Sequence, residues 1–286
     1  MAQTQIAAQR PRFSVALQSA NYQKLINDTL QDPQRRQRFI ASISAAVATN
    51  PALQTCDPGT ILSCALLGES LNLSPSPQLG QYYLVPFNDR KNNREVATFI
   101  LGYKGYIQLA LRSGQYSKLN VMAIKQGELI RYNPLTEEIE VKLIADELER
   151  EVAPTMGYYA TFKYLNGFRK AMYWSKEKME QHALRYSMGY KAKKGYTFWE
   201  KDFDGMAFKT MLRQLISKWG IMSLELQTAV ERDETVSYQD GSSQYIGADE
   251  IPAIAEAIQG EVEEMETDAP EVDPGTGEVL SLADVQ

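Results

Sequence analysis

Charge is segregated along this chain of 286 residues, and the segregation limits how much of it can fold. From Glu231 to the C-terminus there are 16 acidic residues and one basic residue, Arg232, a net charge of -15. The 230 residues before it hold 29 basic and 20 acidic residues, a net +9, which the overall charge of -6 conceals. The tail contains Gly241-Ser242-Ser243, Pro252, Pro270, Pro274, Gly275 and Gly277, and past Tyr238 its one aromatic residue is Tyr245. A segment of that composition cannot bury enough apolar surface to offset its ordering entropy. The expected organisation is a flexible N-terminus over 1–20, one folded domain over 21–234 and an acidic, mostly disordered tail over 235–286. Two apolar clusters in the tail read as partner-docking patches: Ile251, Ile254 and Ile258 at helical spacing, and Val279, Leu280, Leu282 and Val285 at the end. A basic body with an acidic tail fits a polyanion binder; it also fits a basic globular domain with a solubilising tail.

Several chemistries are disfavoured by what is missing. With one histidine, His182, the chain cannot build a multi-histidine metal site, and two cysteines, Cys56 and Cys64, cannot make a four-thiolate zinc site or a disulfide framework. The sequence has no G-x-x-x-x-G-K-[ST] phosphate loop and no G-x-G-x-x-G run. No apolar run approaches the roughly 18 residues of a membrane span. Met1 to Phe13 is Gln-rich and lacks the apolar core of a secretory signal, so the expected location is the cytoplasm with no membrane partner.

Local patterns predict a mixed α and β body. Asp32-Pro33 and Asp57-Pro58 each read as a helix N-cap with proline in the first turn. The helices they start run to about Asn50 and to before Pro75. Cys56 and Cys64 read as small packing residues. Gln81 to Phe87 and Val96 to Leu101 predict a hairpin around a basic loop, Asn88 to Arg94. A short helix through Ile107 to Leu111 ends near Ser113-Gly114. Strands follow at Leu119 to Lys125 and Ile139 to Leu143, then a hairpin of Tyr158 to Leu165 and Arg169 to Trp174 around Asn166-Gly167. Helices from Ser175 to about Ser187 and from about Trp199 to Trp219 close the body.

Function concentrates between Ala160 and Gly220. That window holds 13 basic and 5 acidic residues, and 13 of the 28 aromatics, including all three tryptophans. Interleaved cations and rings suit single-stranded nucleic acid, because cations neutralise phosphates while rings stack on exposed bases. Lys191, Lys193 and Lys194, between Gly189 and Gly195, read as a mobile loop of adaptable phosphate contacts or as a solvated surface loop. Lys209 and Arg213, four apart on the last helix, share a face that could wall a phosphate groove, with Lys218 turned partly away. Trp174 reads as core. Trp199 fits either a nucleic-acid surface or the core. His182 is expected to be exposed and carries no assigned role.

Three segments resemble the RecT family of phage and prophage single-strand annealing recombinases. They are Cys56-Asp57-Pro58 through Leu66-Leu67-Gly68 to Gly80-Gln81-Tyr82-Tyr83-Leu84-Val85-Pro86-Phe87; Ile100-Leu101-Gly102-Tyr103-Lys104-Gly105-Tyr106-Ile107 with Leu111-Arg112-Ser113-Gly114; and Trp199 with Met206-Ala207-Phe208-Lys209-Thr210. The likeness covers about Ala20 to Glu234. Where the family often has proline before the tryptophan, this chain has Phe198, and its last helix closes on Ser217-Lys218-Trp219-Gly220. The resemblance implies an α+β fold, a small antiparallel β-sheet backed by a long helix, with an N-terminal helical lobe. It implies a protein that coats single-stranded DNA, anneals complementary strands into duplex and promotes recombination without ATP or another cofactor. The implied partners are copies of itself in a ring or filament, a phage exonuclease and the host single-strand binding protein. The implied DNA groove takes Tyr103, Lys104, Arg112, Trp199, Lys209 and Arg213, joined by Lys191, Lys193, Lys194 and Lys218, with no catalytic or metal residue.

Two other readings compete. Asp202, Asp204 and Glu200 could bind magnesium for a nuclease, and Glu140-Val141-Lys142 has an E-x-K shape. Against this, Asp202 and Asp204 fit a helix's first turns and Glu140 and Lys142 an exposed strand face. The third reading is a structural oligomer with no role on DNA.

Overall fold

Two Asp-Pro pairs start the main helices of the N-terminal lobe. In the computed structural model, which describes residues 12–89, 92–195, 197–238 and 242–245, α1 (Phe13–Ala16) and α2 (Ala20–Thr29) precede α3 (Pro33–Thr49). The Asp32 carboxylate accepts from the Gln34 N–H, and Pro33 fills the first helical position, where an N–H has no helical partner anyway. α4 (Pro58–Ser70) repeats the arrangement with Asp57 and Pro58. The N-terminal stretch expected to be flexible to residue 20 is helical from Phe13, because Phe13 and Leu17 are buried in the main core.

β1 (Tyr82–Asp89) and β2 (Arg94–Leu101) form the first hairpin, with Tyr82 opposite Leu101. Arg90 and Lys91 of its basic loop lie outside the described residues. Then come α5 (Tyr103–Arg112), β3 (Tyr116–Lys125), β4 (Leu129–Asn133), β5 (Glu138–Val141), α6 (Glu147–Val152), β6 (Thr155–Tyr164) and β7 (Arg169–Ser175). Gly167 takes φ +91 in the turn joining β6 and β7, a conformation that glycine adopts without steric cost. α7 (Lys176–Tyr186), α8 (Met188–Lys191), α9 (Phe198–Lys201), α10 (Phe203–Trp219) and α11 (Leu224–Arg232) follow, then β8 (Thr235–Ser237) and β9 (Ser243–Tyr245). The single helix expected from Trp199 to Trp219 is broken at Asp202, whose carboxylate accepts from the Gly205 N–H and caps α10.

The strands pair antiparallel in sheets ordered β1-β2-β8-β9, β3-β6-β7 and β4-β5. The fold is mixed α+β, as expected, and α10 is the long helix that backs the sheet of β3, β6 and β7. Every second residue of β6, Tyr158, Ala160, Phe162 and Tyr164, is buried on that side, as are Met211, Leu212, Leu215 and Ile216 of α10. Burying each of the large side chains contributes about 1.5–3 kcal/mol. Cys56 and Cys64 are buried and form no disulfide, and burial pushes the Cys64 thiol up to about 12, so it packs as a small apolar group.

The domain boundary expected at residue 234 needs correcting. β8 begins at Thr235, pairs with β2 through Phe99 opposite Thr235, and buries Val236 completely. The body therefore includes part of what composition assigned to the tail. The tail's two apolar patches, from Ile251 and from Val279, lie outside the described residues.

Candidate nucleic-acid interface

Three glycines set the first part of the site. A Cβ on Gly102 would lie 2.1 Å from the Gly80 carbonyl oxygen, and one on Gly105 would lie 2.1 Å from that of Gln81. The backbone at the start of α5 therefore packs directly on the backbone leading into β1, and the Gly102 N–H donates to the Gln81 carbonyl at 2.9 Å. This brings exposed Lys104 over Gly80 and beside Tyr83. The Tyr83 ring lies 6.4 Å from the ring of Phe198 on α9, and Tyr103 packs edge-on to Phe208 at 5.7 Å. Burial and then the nearby Asp202 carboxylate raise the pKa of both tyrosines, so they stay neutral.

α9 carries the surface from there toward α7. Thr197 and Glu200 form a capping box, and Glu200 also accepts from the Gly195 N–H at 2.9 Å. The loop before it is tied down: Lys191 N–H donates to Ser187, Lys193 N–H to Tyr190 and Lys194 N–H to Gly189 carbonyls. The loop's backbone is hydrogen-bonded through these residues, with Lys193 at φ +50 and Gly195 at φ +78, and Lys191, Lys193 and Lys194 are exposed, as either reading of the loop requires.

Beyond α9 lies an aromatic cluster that sequence reasoning missed. His182 lies 5.5 Å from Trp174, 4.6 Å from Tyr186 and 6.5 Å from Trp199. Lys178 Nζ is 4.4 Å from the Trp174 ring centre, and the Arg185 guanidinium is 5.4 Å from that of Tyr186. Tyr186 is exposed; Trp174 and His182 are half-buried, so His182 is less open than expected. The signal was present as spacing: Lys178, His182 and Tyr186 recur every fourth residue and share a face of α7. Burial, with Arg185 and Arg213, lowers the His182 pKa, so the ring is neutral near pH 7.

Not every expected contact joins this surface. Trp199 is only 6% exposed, packed edge-on to Phe203 at 5.1 Å and against Tyr190, so it supports the surface from inside instead of stacking on a base. Lys209 is 5% exposed; its ammonium lies 3.0 Å from Asp233 and 3.1 Å from Glu234. Arg213 NH1 lies 3.4 Å from the same Asp233 and 3.8 Å from the same Glu234. The expected cationic wall is therefore a charge cluster with Lys209 buried and Arg213 partly exposed, whose carboxylates come from a segment that charge counting assigned to the tail. Arg112 donates to the Leu71 carbonyl at 2.6 Å and ties α5 to the end of α4, at the opposite end of the helix from Lys104. Lys218 is exposed but lies about 22 Å along α10 from Phe203, at 1.5 Å per residue, so it is remote from α9.

The carboxylates of the nuclease reading are engaged elsewhere. Asp202 caps α10, Asp204 accepts from the Tyr158 hydroxyl and Glu200 belongs to the capping box. Among the described residues no group of three His, Cys, Asp or Glu side chains could hold a metal ion. Among the same residues no helix is long and apolar enough to cross a membrane.

The domain is α+β, with a helix-backed antiparallel sheet, and it presents exposed lysines near partly buried rings, a composition suited to nucleic acid. The comparisons with known proteins agree. The model of the RecT family matches residues 37–246. The chain is 40% identical over 251 residues to the uncharacterized protein YqaK of Bacillus subtilis (strain 168), covering 87% of this chain and 82% of that one. It is 31% identical over 200 residues to Protein RecT of Escherichia coli (strain K12), covering 69% of this chain and 71% of that one. The chain belongs to the RecT family of single-strand annealing recombination proteins.

Proposed function

We propose that this protein binds single-stranded DNA along the track from Lys104 and Tyr83, across α9, to Trp174 and Tyr186, and anneals it to a complementary strand without ATP, as a homo-oligomer in the cytoplasm. The observation that carries the reading is the two groups of rings at the ends of the track, Tyr83 with Phe198 and His182 with Trp174 and Tyr186, joined from below by the buried Trp199, which lies 6.5 Å from His182. Exposed Lys104, Lys191, Lys193 and Lys194 lie along it.

Such a surface holds a strand by its phosphates and by the faces of its bases. Lysines act as point charges with no fixed geometry, and rings stack on any base at about 1–3 kcal/mol each. Phosphate contacts carry no sequence information, so Watson–Crick edges stay free to test a second strand. Annealed duplex is then the product that the protein holds or releases. The same reading supplies the partners: an exonuclease that exposes single strands and a host single-strand binding protein that covers them.

The test is binding of a labelled oligonucleotide to the full chain and to a Lys104→Ala, Lys193→Ala, Lys194→Ala variant across a salt series. Weaker binding with a shallower dependence on salt supports the track. Unchanged affinity and slope in a folded variant would remove these lysines from the site.

A further inference from the structure

A polar pocket of about 410 Å³ lies between α3 and the connection from α4 to β1. α3 supplies Arg35, Arg38 and Ser42, which share a face by their helical spacing. The connection supplies Asn72 and Ser74, and Gln81 leads into β1. The floor is the main core, through Phe39, Ile43 and Tyr82, all buried. The volume falls in the range of about 300–1,000 Å³ that small ligands occupy. With the core as its floor, the pocket suits a free small molecule or the end of a chain, not a strand passing through.

The acceptors around this pocket are spent within the protein, and donors are left. Glu69, the one carboxylate of the lining among the described residues, accepts from Arg35 Nε at 2.5 Å, and its carbonyl accepts from Arg35 Nη2 at 3.1 Å. These bonds fix the guanidinium and leave its Nη1 end to donate. The Gln81 side-chain oxygen accepts from the Ser74 N–H at 2.7 Å. A backbone N–H can only donate, so the free end of that amide is its NH2 group. The Ser74 hydroxyl oxygen accepts from the Ser76 N–H at 3.2 Å and keeps its own proton to give. Arg38 is exposed and makes no hydrogen bond or ion pair among the described residues. A further cation, Arg112, is held next to Asn72 by its bond to the Leu71 carbonyl at 2.6 Å.

Such a lining selects a ligand that accepts hydrogen bonds and carries negative charge. A phosphomonoester does both, with three strong acceptor oxygens and a charge of about −1.5 to −2 at pH 7. The pocket is far larger than a phosphate alone needs, and Phe39, Leu73 and Pro75 give a base or a sugar an apolar wall. Its position fits the same class of ligand. Gln81 is two residues from Tyr83, at the Lys104 end of the proposed track.

We infer that this pocket binds a nucleotide by a terminal phosphate: Arg35 and Arg38 hold the phosphomonoester, Ser42, Ser74 and Gln81 donate to it or to the sugar, and the apolar wall takes the ring. A free mononucleotide and the phosphorylated end of a DNA strand present the same chemistry. The pocket differs in kind from the track. Lysines along the track meet internal phosphodiesters as point charges, whereas two arginine forks match the oxygens of a terminal phosphate. The strand-end source rests on the proposed binding of single-stranded DNA; the free nucleotide does not.

The experiment uses the full-length protein in phosphate-free buffer, with Arg38→Glu and Gln81→Glu as variants checked for folding by circular dichroism. Arg38 is exposed, and Gln81→Glu keeps the oxygen that Ser74 bonds while replacing the NH2 donor by a negative oxygen. Calorimetry follows thymidine 5′-monophosphate, thymidine, inorganic phosphate and an oligoglutamate peptide. Anisotropy follows an internally labelled thymidine oligonucleotide with a 5′-phosphate, a 3′-phosphate or hydroxyl ends. Wild type is expected to bind the monophosphate more tightly than thymidine, phosphate or the peptide, and each variant is expected to lose that binding. Preference for one phosphorylated end by about tenfold, the scale of one charge-assisted hydrogen bond, lost in both variants, identifies the strand end as the source. Monophosphate binding without that preference supports the pocket and identifies a free nucleotide. No monophosphate binding and no end preference in wild type, or variants that keep both, would overturn the inference. So would phosphate or the peptide binding as tightly as the nucleotide. Both variants are expected to keep wild-type affinity for the hydroxyl-ended strand. Failure of wild type to bind that strand would count against the annealing function, and the monophosphate titration judges the pocket on its own.

Discussion

Lys209 of α10 and Asp233 of the segment after α11 face each other at 3.0 Å inside the protein, both almost fully buried. Asp233 also accepts from the Leu101 N–H at 2.9 Å and from the Tyr106 hydroxyl at 3.2 Å. One carboxylate thus joins α10, α5 and the end of β2. Glu234, at φ +63, adds the second negative charge and leads directly into β8. The pair holds the chain's C-terminal strands on the body, and it consumes a lysine that the spacing of α10 offers to DNA.

Replacing Lys209 by methionine keeps the volume and leaves two buried carboxylates without their main cation. A buried pair broken on one side costs about 3–5 kcal/mol. Urea denaturation of Lys209→Met is expected to show a loss of that order. A loss comparable to that of an ordinary surface substitution would mean that the pair does not secure the fold.

The tryptophans separate by exposure. Trp199→Ala removes a buried ring and is expected to cost about 3–5 kcal/mol of stability. Trp174→Ala and Tyr186→Ala are expected to spare most of the stability and to weaken oligonucleotide binding by about 1–3 kcal/mol for each ring that stacks on a base. Paired denaturation and binding curves check both. Normal binding by a folded Trp174→Ala, Tyr186→Ala double variant would move the DNA away from α7.

His182 gives the fold an acid-sensitive element. Its folded pKa lies below the ordinary 6.5, through burial and then Arg185 and Arg213. As pH falls through about 6.5, the unfolded chain takes up a proton that the folded chain resists, so stability falls in that window and is fully present above it. Denaturation midpoints measured from neutral to mildly acidic pH are expected to fall less in His182→Gln than in wild type. Equal falls would place the acid sensitivity elsewhere.

Local signals were read well because they are local. Asp32-Pro33, Asp57-Pro58 and Asn166-Gly167 act within a few residues, and each stands where its spacing placed it. What escaped depends on distant partners. Lys209 and Arg213 do share a face, but nothing near them announces that Asp233, more than a helix away in sequence, returns to neutralise them. The tail's acidity hid β8 for the same reason: Val236 is buried in a sheet whose β1 and β2 lie far upstream. Of the expected DNA contacts, Lys104, Lys191, Lys193 and Lys194 remain on the exposed surface, whereas Trp199 and Lys209 lie inside. A count of basic and aromatic residues in a window cannot tell these apart, since burial is decided by packing.

The most direct test of the account is annealing of two complementary labelled oligonucleotides by the purified full-length protein, without ATP, across a salt series, with strand length followed on the same gel. The account predicts rapid annealing of intact strands that fades as salt rises, and slower annealing by the Lys104→Ala, Lys193→Ala, Lys194→Ala variant. Intact strands with no acceleration at any salt would contradict it, and shortened strands would return Asp202 and Asp204 to attention as a nuclease site.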